Sequence, residues 1–177
     1  MNYGILRLKI RRFTYDTAWT KEVNYFHIQV IILVCCVLKG PRNLLKTVII
    51  DDHPGVRRCL RLMMEFEPLI DVVGEAGNGL LALEAVQTLA PDLLLLDINM
   101  PEMTGLEVLG RLRSESNSVY VIILSGHSDT RYVEAAMRLG ANGYVGKDSG
   151  PEILMQAIHS IQNGQSYVDP NIAIVIA

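Results

Sequence analysis

The sequence predicts an α/β domain built on a doubly wound, five-stranded parallel sheet of strand order 2-1-3-4-5, with helices on both faces. Three observations predict it. Leu93-Leu94-Leu95-Leu96 is a run with no polar alternation, the pattern of a strand buried on both faces in the middle of a parallel sheet. From residue 46 onward, short apolar strands alternate with segments of helical period, and right-handed crossovers leave 2-1-3-4-5 as the natural order. Finally, the predicted strands end in polar or charged side chains, Asp51-Asp52, Asp97, Ser125 and Lys147. Open α/β sheets keep their chemistry at that edge.

Lys46-Thr47-Val48-Ile49-Ile50 is a β-branched first strand ending in Asp51-Asp52. Pro54 opens a helix through about Glu67, with Val56, Leu60 and Met63/Met64 at helical spacing. Ile70 to Val73 form the second strand, leading into a loop from Gly74 to Gly79. Leu80 to Leu89 form an amphipathic helix stopped by Pro91. The leucine run is strand three, ending at Asp97 because Pro101 and Gly105 prevent its continuation. Leu106 to Leu112 make a short helix, and Val119 to Leu124 a fourth buried strand that stops at Ser125-Gly126. Arg131 to Leu139 is helical and closed by Gly140. Gly143 to Gly146 is the fifth strand, ending in Lys147. Ser149 is predicted to cap a last helix, with Pro151 at its first position and Glu152 in its first turn, running to about Asn163 before Gly164.

Composition bounds what this domain can do. Half of the 177 residues are apolar and a fifth are charged, which is globular. Residues 1–45 hold seven Lys/Arg against two Asp/Glu, whereas 46–177 hold nine against seventeen. A domain of charge −8 is a poor non-specific nucleic-acid binder, since phosphate contacts need Lys and Arg. Cys35, Cys36 and Cys59 have neither metal-ligand nor disulfide spacing, fit a reducing cytoplasm, and read as packing residues.

The basic leader, 1–45, includes Trp19 and an apolar run from Val30 to Leu38. That run is too short for a membrane span of ~20 residues, and no small-residue cleavage site follows it. A secretory or membrane-surface role is the lesser reading. The charge break at residue 45 points to a start placed too far upstream, with translation beginning near Val37 to Leu45; intact mass from the native source tests this.

In the predicted order, strands one and three are neighbours, which brings Asp51, Asp52 and Asp97 into one crevice with Ser125 and Lys147 on the same rim. Three crowded carboxylates repel and require a cation. All-oxygen ligands with waters and a phosphate suit Mg2+. A metal-bound carboxylate can attack phosphorus, giving an aspartyl phosphate. Lys147 would neutralise the transferring oxygens, and Ser125 could donate its hydroxyl to one of them. Plainer roles exist for each residue. The Asp51-Asp52 pair could cap a helix, Ser125 could belong to an ordinary turn, and Lys147 could be a solvated surface lysine. Tyr144 could be a packing aromatic. His53 and His127 lack metal-ligand spacing and read as local hydrogen-bonders.

Four stretches carry a resemblance: Ile50-Asp51-Asp52-His53-Pro54, Leu96-Asp97-Ile98-Asn99-Met100-Pro101-Glu102-Met103-Thr104-Gly105, Leu124-Ser125-Gly126 and Gly140-Ala141-Asn142-Gly143-Tyr144-Val145-Gly146-Lys147. Through them, residues 46–166 resemble the receiver domain of bacterial two-component response regulators, which has a flavodoxin-like (CheY-like) fold. The Asp-Asp-His-Pro start and Lys147-Asp148-Ser149-Gly150-Pro151-Glu152 are most similar to the subfamily with a LuxR-type helix-turn-helix output.

The resemblance implies Asp97 as the phosphoacceptor, served by a sensor histidine kinase in the cytoplasm and regulating transcription. It implies Mg2+ held by Asp52, Asp97 and the backbone carbonyl of Asn99, with Asp51 acting through water. Lys147 would pair with the phosphoryl group, and Ser125 and Tyr144 would form the switch pair, the ring following the hydroxyl inward. It implies a switch that assists only its own phosphorylation and dephosphorylation, not an enzyme. A symmetric dimer through the helices near Val56–Met64 and Glu152–Ile161 is a further expectation, from their apolar stripes.

There are departures. Gly146 replaces a bulkier apolar residue, which predicts a looser fifth strand, and Asp148 stands where many receivers have proline. Residues 167–177 read as the start of a truncated linker, with Ile172 to Ile176 beginning an interdomain helix. No helix-turn-helix follows, so a truncated regulator or a stand-alone receiver is expected, without sequence-specific DNA binding by this chain and without a membrane span.

Three alternatives stay open. A haloacid-dehalogenase-like phosphatase also uses an aspartyl nucleophile and Mg2+, but it resembles Asp-x-Asp where this chain has Asp97 and Asn99. A flavodoxin-like flavin binder would need a Ser/Thr/Gly-rich phosphate loop, the electrostatic opposite of Asp-Asp-His-Pro. An unphosphorylated pseudo-receiver fits a complete acidic set poorly.

Overall fold

A computed structural model describes residues 44–126 and 130–176. The expectations for the basic leader up to residue 43, and for His127, lie outside the described residues. The rest belongs to one compact unit, Asn43–Ala177.

Among the described residues, six parallel strands form one sheet: β1 (Leu45–Ile50), β2 (Ile70–Ala76), β3 (Leu93–Asp97), β4 (Tyr120–Ser125), β5 (Gly143–Gly146) and β6 (Tyr167–Val168), in the order β2-β1-β3-β4-β5-β6. The predicted 2-1-3-4-5 order holds, and β6 extends it at the β5 edge with Gly143 paired to Tyr167 and Tyr144 to Val168. The helices are α1 (Pro54–Glu65), α2 (Gly79–Leu89), α3 (Gly105–Ser114), α4 (Thr130–Arg138), α5 (Pro151–Gln162) and α6 (Pro170–Ile176).

The side-chain period of two splits the leucine run between two cores. Leu94 and Leu96 join Val48, Ile50, Val121, Ile123 and Tyr144 on one face, beneath α2, α3 and α4. Leu93 and Leu95 join Ile49, Ile122, Leu124 and Val145 on the other, against Leu60 and Met64 of α1 and Leu154, Ala157, Ile158 and Ile161 of α5. All five residues of β3 are buried, as a central parallel strand requires.

Three local expectations are corrected. Strand β2 runs on to Ala76, through Gly74. A Cβ on Gly74 would stand 2.5 Å from Leu89 Cδ1, so this glycine lets α2 pack on the strand and does not break it. Cys59 is exposed on α1 and is not a packing residue. Gly150, not Ser149, is the N-cap of α5, because the Ser149 hydroxyl is donated to Asp169. The segment expected to begin a linker starts packed on the domain: Asp169 is fully buried and Ile172 of α6 is 5 % exposed within the core.

Candidate functional site

Strand register builds the site. Ile50 pairs with Leu96, so the residues that follow at the carboxyl ends, Asp51 and Asp97, are side by side. Asp97 pairs with Leu124, and Ser125 with Gly146, which places Lys147 just beyond the same edge. The Lys147 backbone N–H donates to Ser125 O at 2.8 Å, tying the lysine to the end of β4.

The Lys147 ammonium bridges the two buried acids, with Nζ 2.7 Å from Asp51 Oδ2 and 2.9 Å from Asp97 Oδ2. Burial works to lower the Lys147 pKa, and the two carboxylates more than offset it, holding it above the usual lysine range. Burial pushes the Asp97 carboxyl up, against the pull of Lys147 and with the Asp51 charge adding to the rise. Asp51 Oδ1 accepts from the His53 backbone N–H at 2.8 Å. Asp52 is partly exposed, and its Oδ1 lies 2.5 Å from His53 Nδ1.

Asp97 Oδ1 is buried with no hydrogen-bond partner. Asp51 Oδ2 and Asp52 Oδ1 are likewise buried, with the ammonium and imidazole contacts given above. A buried carboxylate oxygen without a donor is costly unless a cation completes it. The donor set therefore fits a hard divalent ion such as Mg2+. Asp51, Asp52 and His53 each offer a ligand atom, all within 4.8 Å of one another. Asn99 is exposed in the loop after β3.

Ser125 is 1 % exposed at the rim. Tyr144, two residues before Gly146 on β5, is fully buried, so its ring already stands inside the core. The structure thus brings Asp51, Asp97, Lys147 and Ser125 to one edge, with Asp52 and His53 at its mouth.

Sequence reasoning missed one contributor. Arg57, on the first turn of α1, donates through Nη1 to Asp51 O at 2.7 Å and through Nε to Glu75 Oε2 at 3.2 Å. Its spacing from Pro54 on a helix starting at the acidic edge was the available signal. His53 is a local hydrogen-bonder as expected, through its backbone N–H to Asp51 Oδ1, and its ring stands against the Asp52 carboxylate.

The response regulator receiver domain matches residues 47–159. The chain belongs to that family. This receiver domain is 40 % identical over 130 residues to the nitrate/nitrite response regulator protein NarL of Escherichia coli (strain K12), covering 73 % of this chain and 60 % of NarL. It is 35 % identical over 130 residues to the transcriptional regulatory protein DegU of Brevibacillus brevis, covering 73 % of this chain and 55 % of DegU. The receiver thus spans little more than half the length of these relatives. A LuxR-family two-component response regulator from Aurantimonas sp. SI85-9A1 superposes with a TM-score of 0.70 at 32 % identity, over 73 % of this chain and 93 % of that one. The isolated receiver domain of RcsB from Salmonella enterica serovar Typhimurium shares the fold, with a TM-score of 0.70 at 24 % identity over 74 % and 97 % of the two chains. Neither the phosphatase nor the flavin-binding alternative gains support from these likenesses. Among the described residues, no helix is long and apolar enough to cross a membrane.

Proposed function

We propose that this receiver is the phosphoacceptor switch of a two-component phosphorelay, taking a phosphoryl group onto Asp97 from a sensor histidine kinase. The observation that carries the reading is the Lys147 ammonium shared between Asp51 and Asp97 while Asp97 Oδ1 is left without a donor. One oxygen of the acceptor is oriented by a fixed cation and the other is available as nucleophile. In the transfer, an Asp97 oxygen forms the new bond to phosphorus as the phosphorus–nitrogen bond of a phosphohistidine breaks. The departing imidazole keeps the bonding pair and takes up a proton.

Lys147 then exchanges its contact with the Asp97 carboxylate for one with a phosphoryl oxygen, which a compact ammonium on a flexible stem can do without leaving Asp51. Mg2+ held by Asp52, Asp97 and the Asn99 carbonyl, with Asp51 acting through water, would supply charge neutralisation for the phosphoryl oxygens. Ser125 donates its hydroxyl to the phosphoryl group, and the buried Tyr144 ring is the packing that this displacement stabilises. The chain turns over no substrate beyond its own phosphorylation and dephosphorylation.

The site must be cytoplasmic to meet the kinase, and the downstream output is regulation of transcription, by analogy with relatives such as DegU that carry that name. Exposed Leu62 on α1 and Phe66 just past its end support an apolar α1 face for the symmetric dimer expected through this helix and α5.

Incubation with a small acyl-phosphate donor and Mg2+ tests the assignment. The expected result is a labile, phosphate-sized mass gain that chelation and Asp97→Asn both abolish. A gain that persists in Asp97→Asn moves the acceptor elsewhere.

A further inference from the structure

The segment after α5 holds a fully buried carboxylate, Asp169, that the phosphoacceptor chemistry does not use. Both of its oxygens are engaged by donors. Oδ2 accepts from the Gly146 backbone N–H at 3.2 Å and from the Ser149 hydroxyl, and Oδ1 accepts from the Asn171 N–H at 2.9 Å. Its backbone works in both directions as well. Its N–H donates to Tyr144 O at 2.9 Å, and its carbonyl accepts from Ile172 and Ala173 at 3.0 and 2.8 Å. One residue therefore opens α6, extends the sheet, and clamps the turn that carries Lys147.

That turn is tight. The Ser149 N–H donates to Gly146 O at 3.1 Å. A Cβ on Gly146 would meet Asp148 Oδ1 at 2.7 Å, Ser149 Oγ at 3.0 Å and Asp169 Oδ2 at 3.5 Å. Gly146 is thus the residue that leaves room for the clamp. A cleft lined by Ser125, Gly126, Ser149, Asn171 and Ile172 lies where the ends of β4 and β5 meet α6. The lysine is consequently held from two sides, by Ser125 O on its own N–H and by Asp169 on the preceding N–H.

We infer that Asp169 is a positioning residue for Lys147, and that through the Asp169–Ser149–Gly146 contact the charge state of the pocket is passed to α6. The inference rests on the phosphoacceptor reading above. A new charge on Asp97 draws the ammonium, the ammonium draws the 146–149 turn, and the turn is bonded to the residue that starts α6. Coupling of this kind is reciprocal: a change at α6 alters the affinity of the pocket for a phosphoryl group. The carboxylate is needed because all three contacts are donors; an amide at this position would turn its own N–H2 toward one of them.

The test uses the full chain with Mg2+ and beryllium fluoride as a non-transferring phosphoryl mimic. Binding is followed by titration, and the backbone amides of 146–150 and 171–173 by hydrogen exchange. In the unaltered chain, the mimic is expected to change exchange at 171–173 as well as at the turn. Asp169→Asn and Ser149→Ala are expected to weaken the mimic about fivefold, at the lower end of typical coupling, and to abolish the response at 171–173. Ser149→Thr, which keeps the hydroxyl, should restore both. Should Asp169→Asn fail to fold, the two Ser149 variants carry the test alone. A mimic that binds the unaltered chain, with affinity and exchange response surviving in the folded variants, overturns this inference only. Absence of binding to the unaltered chain overturns the phosphoacceptor reading and this inference together.

Discussion

At the scale of single residues, the pocket is a balance between one cation and two buried anions. Lys147 is 24 % exposed while the Asp51 and Asp97 side chains are almost fully enclosed, so its ammonium is the partner that makes their ionised forms tolerable. Removing one member of a buried ion pair costs about 3–5 kcal/mol. The partial exposure of the lysine reduces this, and Lys147→Met should destabilise the chain by about 2 kcal/mol near neutral pH. The loss should shrink as the pH is lowered and Asp97, whose pKa burial raises, takes up a proton, which denaturant titrations at several pH values would reveal. Asp97→Asn should do the reverse. It removes a carboxylate whose pKa is raised by burial, a group whose ionised form is disfavoured in the folded state. A gain on the order of 1 kcal/mol in unfolding free energy is expected at neutral pH, alongside complete loss of phosphorylation. Asp51, Asp97 and Lys147 were legible as a set because each ends a strand of recognisable pattern. Asp169 and Ser149 were not. Their contact joins two loops twenty residues apart, and no periodicity marks which of several polar loop residues will be buried. Ser149 before Gly150-Pro151 carries a helix-cap signal that the Asp169 carboxylate overrides.

At the scale of elements, the site depends on how closely a helix can approach a strand end. Gly105 is the first residue of α3, and its N–H donates to Ile98 O at 2.9 Å. A Cβ there would fall 2.1 Å from the Asp97 carbonyl oxygen, which is backbone and cannot swing aside. Thr104 and Glu107 form a capping box that holds α3 in this position, with the Thr104 N–H donating to Glu107 Oε2 at 2.7 Å. Gly105→Ala must therefore move either the helix or the acceptor strand. We expect about 3 kcal/mol of destabilisation in thermal or denaturant unfolding, together with slower phosphorylation because Asp97 is displaced. Gly74→Ala, whose clash is with the movable tip of Leu89, should cost less than Gly105→Ala in the same assay. Elements of ten residues or more, and strands with buried β-branched or leucine runs, were legible to within a few residues. Strand β6 was not, since Tyr167–Val168 is too short for any alternation to register. Gly74 misled for a related reason: a glycine usually marks a break, and only the packing of Leu89 explains one inside a strand.

For the whole molecule, the distribution of charge explains why the acidic edge should respond to cation and proton together. Residues 46–177 hold seventeen Asp/Glu against nine Lys/Arg, and three of the acids meet at one rim. The folded state binds a proton on Asp97 more tightly than the unfolded chain does, because burial raises that carboxyl. Between the ordinary carboxyl pKa and the raised one, stability without metal must then fall as pH rises. Lys147 has the opposite charge and a raised pKa as well, so its contribution persists through neutral pH and is lost only above the usual lysine range. A divalent cation competes with the proton for the same oxygens. Mg2+ should therefore stabilise the chain most where Asp97 is ionised and progressively less as acid protonates it. At one hundred times its dissociation constant, such a ligand adds about 2.7 kcal/mol, roughly 8 °C in thermal midpoint for a domain of this size. Thermal unfolding across pH with and without Mg2+ would check this, with Asp52→Ala and Asp97→Asn as variants in which the increment should largely vanish. An increment equal in the unaltered chain and both variants would place the ion away from this edge. An increment that fails to shrink in acid would remove Asp97 from the set of ligands.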